Sequence, residues 1–297
     1  GDMNNFTDVA DVPWARYLGD IKHIAINEGV TMVGNYSFFG CSNATDVSFP
    51  STLKTIGSYA FYSCMELQEV QFPESLKTLG AYSFNGCASL RSIVIPSSVT
   101  SMGNYVFQGC TLMEKAVVNA SIKSLPAYTF CHNNALTEVV LPADLTSIGN
   151  YAFYRCFNLP EINIPQTVTS IGVYAFYSCR SLKEINLPEK LGSLGYYSLA
   201  YCAKLKKVVI PANVMSVQDG LCYGDSLLTE VVIPEVATSI NASAFYGCVA
   251  LTKINFPVAL ATISSSAFRG CKKLTEINIP DSVTSINFSA FAGCENI

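Results

Sequence analysis

The chain has 297 residues, half of them hydrophobic and 13% charged, with a formal net charge of −4. That composition supplies ample core material and excludes a disordered chain; its mild acidity, with 18 Lys and Arg spread thinly, argues against nucleic acid as a partner. Apolar runs stop short of the roughly 18 residues of a membrane-spanning helix, and no basic start followed by an apolar stretch marks a signal peptide, so neither membrane insertion nor a leader is expected in this chain.

In chain order, residues 1–20 lie outside any pattern and, with Trp14 and Tyr17, are predicted to cap one end of a repeat array. From Ile21 onward a period of 23 takes over: Ile21, Ala44, Leu67, Leu90 and so on to Leu274 and Ile297, without insertion or deletion. Residues 21–297 are therefore read as one solenoid of twelve 23-residue repeats. Each repeat approximates L-x-x-I-x-I-P-x-x-V-x-x-I-G-x-Y-A-F-x-x-C-x-x, clearest in Leu274, Ile277, Ile279, Pro280, Val283, Ile286, Ala290, Phe291 and Cys294.

The I-x-I-P part alternates apolar and polar positions with β-branched residues, the pattern of a half-buried strand. The proline ends it, because it cannot donate to a ladder. V-x-x-I-G reads as a second short extended piece whose glycine eases a tight corner. Y-A-F-x-x-C is too short for an independent helix and is expected to form one helical or 3₁₀ turn. A 23-residue unit cannot bury its own apolar side, but stacked copies can. The expectation is an α/β repeat: a right-handed solenoid with a parallel sheet on the concave side, its strands about 4.8 Å apart.

This string, I-P-x-x-V-x-x-I-G-x-x-A-F-x-x-C in twelve copies in register, closely resembles the BspA-type bacterial leucine-rich repeats. The stretch from Pro13-Trp14 to Glu28-Gly29-Val30 is similar to the segment that often precedes the first repeat there. The resemblance implies a secreted or surface-displayed protein, with adhesion or binding of a host or other extracellular protein as the role. It supplies no site residues.

The columns of the repeat carry the remaining expectations. A phenylalanine column, from Phe38 to Phe291, reads as an aromatic spine, thinnest where Leu199 and Cys222 replace Phe, and reduced local stability is expected there. Ten cysteines share a column whose two other slots hold Asn133 and Asp225, while Cys131 and Cys222 are out of phase. The Asn and Asp replacements favour a small polar group bonding the loop backbone, with disulfides between stacked neighbours as the alternative. No short C-x₂₋₄-C pair offers a metal site.

Two exposed columns are candidate ligand surfaces. Val94, Val117 and Val140 are consecutive at the outward strand position and form an apolar patch expected to be flanked by acidic groups. Tyr82, Tyr105, Tyr128 and Tyr151 belong to a tyrosine column running from Tyr36 to Tyr197, which gives way to Gly220, Ser243, Ser266 and Ser289. Tyrosine is over-represented at binding surfaces, although a stacked ladder facing water accounts for the column equally.

Catalysis is not expected. The chain has two histidines, His23 and His132, and the one Cys–His adjacency, Cys131-His132, sits where a local rearrangement is expected. No G-x-S-x-G, phosphate-cradling loop, H-E-x-x-H or G-x-G-x-x-G occurs. No catalytic, cofactor or metal residue is predicted, which leaves two noncatalytic roles. One is a recognition module for an extracellular protein or glycan. The other is a passive spacer or scaffold self-associating through an uncapped last repeat.

Overall fold

The computed structural model describes all 297 residues, in two compact units, Gly1–Leu145 and Thr146–Ile297. In each, the 23-residue repeat becomes one turn of a stack. The I-x-I segments of the first unit pair in parallel: His23–Ala25, Asp46–Ser48 and Glu69–Val70 form one ladder, and Ser92–Ile95, Lys115–Val118 and Glu138–Val140 another. Every residue faces the one 23 positions on, as Val94 faces Val117. Alternation sets the faces, with Val47 buried between exposed Asp46 and Ser48. A one-residue slip would turn that buried face outward, so the register is strongly specified.

Proline ends this segment and starts the next. Leu76 N donates to Pro73 O at 3.0 Å and Val99 N to Pro96 O at 3.1 Å, turning the chain into a second parallel ladder. That ladder runs through Met32–Val33, Thr55–Ile56, Thr78–Leu79 and Ser101–Met102. The second unit repeats both ladders. Lys207–Val209, Glu230–Val232 and Lys253–Ile254 form one. The other is built from Ser147–Ile148, Ser170–Ile171 and Ser193–Leu194, and from Ser216–Val217, Ser239–Ile240, Thr262–Ile263 and Ser285–Ile286.

The third side departs from expectation. Y-A-F-x-x-C forms no helix; the only helical segments are two 3₁₀ turns, Val9–Asp11 and Ala15–Tyr17, so the chain is a stack of strands and turns rather than an α/β repeat. Within a repeat, Tyr62 N bonds Tyr59 O and Cys64 N bonds Phe61 O, but Tyr59 and Ser63 have φ of 58° and 56°. These left-handed residues break the helical path and turn alternate N–H groups toward the next repeat. Tyr59 N donates to Ala81 O at 3.0 Å, Phe61 N to Ser83 O at 2.8 Å and Ser63 N to Asn85 O at 2.7 Å.

The glycine of V-x-x-I-G has a different task from the one the sequence suggests. Gly80 does not have positive φ; a Cβ there would lie 2.4 Å from the Gly57 carbonyl carbon of the preceding turn. What it permits is close backbone approach.

Inside the first unit the phenylalanine column is stacked, with ring centroids 5.1–6.1 Å apart from half-buried Phe38 to Phe130, and fully buried from Phe61 on. In the second unit, rings stack from Phe153 to Phe176 and from Phe245 to Phe291, with fully buried Leu199 and Cys222 between. Residues 1–20 lie against the first turn. Met3 N donates to Met32 O, Trp14 Nε1 donates to Ser37 O at 2.7 Å, and the indole stacks on Phe38 at 5.9 Å. In the last repeat the apolar Ile279, Ile286 and Phe288 are exposed, Phe288 at 81%.

Two substitutions separate packing from approach. Phe84→Ala removes a fully buried ring and is expected to cost about 3–5 kcal/mol in urea denaturation. Gly80→Ala adds only a methyl, yet is expected to cost about 1–3 kcal/mol by overpacking against backbone. A neutral Gly80→Ala would refute the close-approach account.

Candidate interaction surfaces

The three valines come together as the repeat predicts. Val94 pairs with Val117 and Val117 with Val140 on adjacent strands, and Val94 and Val140 remain 55% and 43% exposed. Their surroundings differ from the acidic flank expected. Lys115 Nζ meets Glu138 Oε1 at 2.7 Å and Arg91 pairs with Glu114 at 3.5 Å, so cations from neighbouring turns offset the carboxylates beside the patch. The result is an apolar strip beside paired charges.

The tyrosine column is a continuous stack in the first unit. Centroid distances run 4.9, 4.7, 4.3 and 4.2 Å from Tyr36 through Tyr59, Tyr82 and Tyr105 to Tyr128. In the second unit Tyr151, Tyr174 and Tyr197 stack at 5.0 and 5.2 Å. Every member occupies the left-handed slot, with φ between 53° and 63°. That conformation is costly for a bulky L-residue, and ring stacking offsets part of the cost. The rings are half-buried, and burial raises the Tyr59, Tyr82, Tyr105 and Tyr197 phenols above the usual tyrosine value.

Where the tyrosines stop, the same slot holds Gly220, Ser243, Ser266 and Ser289, all with positive φ. A Cβ on Gly220 would lie 2.2 Å from the Tyr197 ring, so the stack ends with a ring laid on a bare backbone. A second aromatic column, not singled out from the sequence, runs beside the first. Phe39 stacks on Tyr62 at 4.7 Å, Tyr154 on Tyr177 at 5.0 Å and Tyr223 on Tyr246 at 4.6 Å. Its signal was present in the x after each A-F, but Asn85, Gln108 and Cys131 interrupt it.

All twelve cysteines are free thiols. The geometry of eight of them explains why: Cys64, Cys87, Cys110, Cys179, Cys202, Cys248, Cys271 and Cys294 each point at a carbonyl of a preceding turn. Cys64 Sγ donates to Phe38 O at 3.3 Å, Cys87 to Phe61 O at 3.3 Å and Cys110 to Phe84 O at 3.4 Å. Burial pushes the Cys87 and Cys271 thiols up to about 12, far from the low-pKa setting of a reactive cysteine. No group of three or more His, Cys, Asp or Glu side chains converges to hold a metal ion.

Asn133 and Asp225 take the cysteine slot with the bond reversed: Asn133 Oδ1 accepts from Cys110 N at 3.0 Å and Asp225 Oδ1 from Cys202 N at 2.7 Å. The rearrangement expected at Cys131-His132 does not occur. His132 has φ of 63°, in the slot of Ser63 and Gly109, and Asn133 N bonds Phe130 O as each cysteine N does. Asp225 is the exceptional group. It is fully buried beside Cys222, its Oδ2 finds no hydrogen-bond partner, and burial holds its carboxyl well above the usual carboxylate range.

The BspA-type leucine-rich repeat model matches residues 16–137, 123–249 and 219–297, and the chain belongs to that family. Among solved structures, it is similar to a leucine-rich repeat protein from Bacteroides ovatus, at 27% identity over all of this chain and 88% of that one, with a TM-score of 0.67. A leucine-rich cell surface protein from Faecalibacterium prausnitzii is 27% identical over 93% of this chain and 86% of its own, TM-score 0.61. A leucine-rich repeat protein from Eubacterium ventriosum is 25% identical over 99% and 88%, TM-score 0.59. No curated protein matches the chain. The family is one of protein-interaction or surface-protein modules, with no catalytic feature indicated.

Asp225 yields a pH prediction. An acid whose folded-state pKa is raised stabilises the fold fully below its unfolded value, near 4, and loses that contribution as pH rises toward the raised value. Asp225→Asn is therefore expected to be more stable than the native chain at pH 7–8, by about 1–3 kcal/mol. The gain should shrink toward pH 4. Urea midpoints across pH check this, and a pH-independent difference would refute it.

Proposed function

We propose that the chain is a noncatalytic protein-binding module of a secreted or cell-surface adhesion protein. It recognises a host or extracellular protein, or a glycan, through its strand face. In this reading residues 1–20 cap a twelve-repeat, right-handed solenoid at residues 21–297, and the strands line its concave side. The observation that carries the reading is the run of exposed Val94, half-buried Val117 and exposed Val140 on three hydrogen-bonded strands. An apolar strip of this kind beside charge is a common anatomy for protein interfaces. Tyr82, Tyr105 and Tyr128 in the first unit, and Tyr151 in the second, are the alternative contact surface.

Self-association as a structural scaffold is a second reading.

A panel of immobilised extracellular matrix proteins and glycans tests the first reading. Saturable binding is expected, lost when Val94, Val117 and Val140 are all changed to Asn without change in unfolding midpoint. Binding that survives, but disappears when Tyr82, Tyr105 and Tyr128 are changed to Ser, would transfer recognition to the tyrosines; serine fits the slot because Ser243 and Ser266 already occupy it. Concentration-dependent sedimentation would support the scaffold reading instead.

A further inference from the structure

The second unit contains a break in its ladders. Lys183 N donates to Pro160 O, and Thr229 N to Lys206 O, but no bond joins Lys206 to Lys183. In the second ladder Gly192 N bonds Thr169 O and Thr238 N bonds Met215 O, with nothing joining Met215 to Gly192. Strand Lys207–Val209 pairs with Glu230–Val232 on one edge only, and Ser193–Leu194 pairs only with Ser170–Ile171. The third side stays closed. Tyr197 N bonds Asp219 O at 2.9 Å, Leu199 N bonds Leu221 O at 3.1 Å and Tyr201 N bonds Tyr223 O at 2.8 Å. The two turns are thus held along the tyrosine side and parted along both ladders, with Asn213 Nδ2 donating to Glu189 O as the side-chain bond across the gap.

A cleft of about 920 Å³ lies on this break. Buried Ile185 and Ile210 form its floor, and half-exposed Val209 and Val236 stand in its walls. Its rim is acidic. Glu184 and Glu189 have no ion-pair partner, Glu235 accepts only the Val258 N–H, and the one cation, Lys207, is already held by Glu230 at 2.7 Å. An occupant must therefore bring apolar side chains for the floor, backbone groups for the open strand edge, and positive charge for the rim.

We propose that this cleft is a docking slot for an extended segment of a partner protein, adding as a strand to the free edge of Lys207–Val209. Its apolar side chains enter between the parted turns, and its lysine or arginine side chains meet Glu184, Glu189 and Glu235. Strand addition of this kind takes affinity from main-chain bonds and selectivity from alternate side chains, and the rim charges select against acidic segments. The slot lies apart from the valine strip and does not depend on that surface being a binding site.

The test uses a fluorescein-labelled, N-acetylated heptapeptide of alternating lysine and valine, titrated with the full chain and read by anisotropy. Saturable binding is expected. It should weaken about tenfold when Glu184, Glu189 and Glu235 are all changed to Gln, from three exposed ion pairs. It should be abolished by N-methylation of alternate peptide amides, and absent for the same peptide with glutamate in place of lysine. The Val94, Val117 and Val140 triple Asn variant, which alters the strip of the first unit, should bind the peptide normally. No saturable binding overturns the proposal, as does binding indifferent to N-methylation or to the three glutamate changes. Loss of binding in the valine variant would overturn it by placing the peptide on the valine strip of the first unit.

Discussion

The structure depends on a left-handed residue twice per repeat, at the position where tyrosine, serine or glycine stands and again four residues on, as at Tyr59 and Ser63. With them, alternate N–H groups of Y-A-F-x-x-C leave the helical path and bond the next turn, as Tyr59, Phe61 and Ser63 do. Without them, the segment would bond to itself and the third side of the stack would have no ladder. The change from tyrosine to glycine and serine along the tyrosine column then has one backbone explanation. Left-handed geometry costs a bulky L-residue on the order of 1–3 kcal/mol, and tyrosines stacked 4.2–5.2 Å apart recover part of it through their rings. A tyrosine with no partner above it would recover none. Once the run stops at Tyr197, the slot reverts to Gly220 and then serine.

The cysteine column solves the complementary problem. Reversing the chain after the phenylalanine leaves a carbonyl facing the next turn in a space too small for a large polar side chain. A thiol fits that space, donates a weak bond and costs little to bury. Asn133 and Asp225 fit it by accepting a backbone N–H instead, and Asp225 accomplishes this at the expense of an orphaned carboxyl oxygen. Cysteine abundance here is a packing device, which is why the thiols are pushed away from the reactive range rather than toward it.

A molecule built this way places chemistry on its outside. Its backbone N–H groups join successive turns, and what faces outward is set by strand alternation for the valines and the paired charges beside them, and by the left-handed corner for the tyrosine column. Departures from regularity are therefore the informative places. Loss of phenylalanine at Leu199 and Cys222, the end of the tyrosine stack and the parted ladders all fall at one junction of the second unit. Tilted ring contacts, Tyr197 on Tyr223 at 6.0 Å and Tyr201 on Tyr223 at 5.4 Å, still join those two turns on the tyrosine side, and the cleft lies where the ladders part.

The sequence by itself determined the period, the proline stops, the buried phenylalanines, the alignment of Val94 with Val117 and Val140, and most strand segments, although residues 161–164 and 184–187 carry the same string and form no strand. A 23-residue repeat without insertions leaves only one register, and strand alternation then assigns every face. It also carried the family, because the repeated string is long and specific. The tertiary structure decided what depends on φ and on neighbours 23 residues away. The same Y-A-F-x-x-C string fits a 3₁₀ turn or a left-handed corner, and only the carbonyls of the next turn settle which. The glycine at Gly80 signals either positive φ or close approach, and only the Gly57 backbone beneath it distinguishes them. The acidic flank expected around the valines became a set of ion pairs because cations stood one turn away. The parted ladder had no motif at all, since missing hydrogen bonds between turns leave no mark in any single repeat.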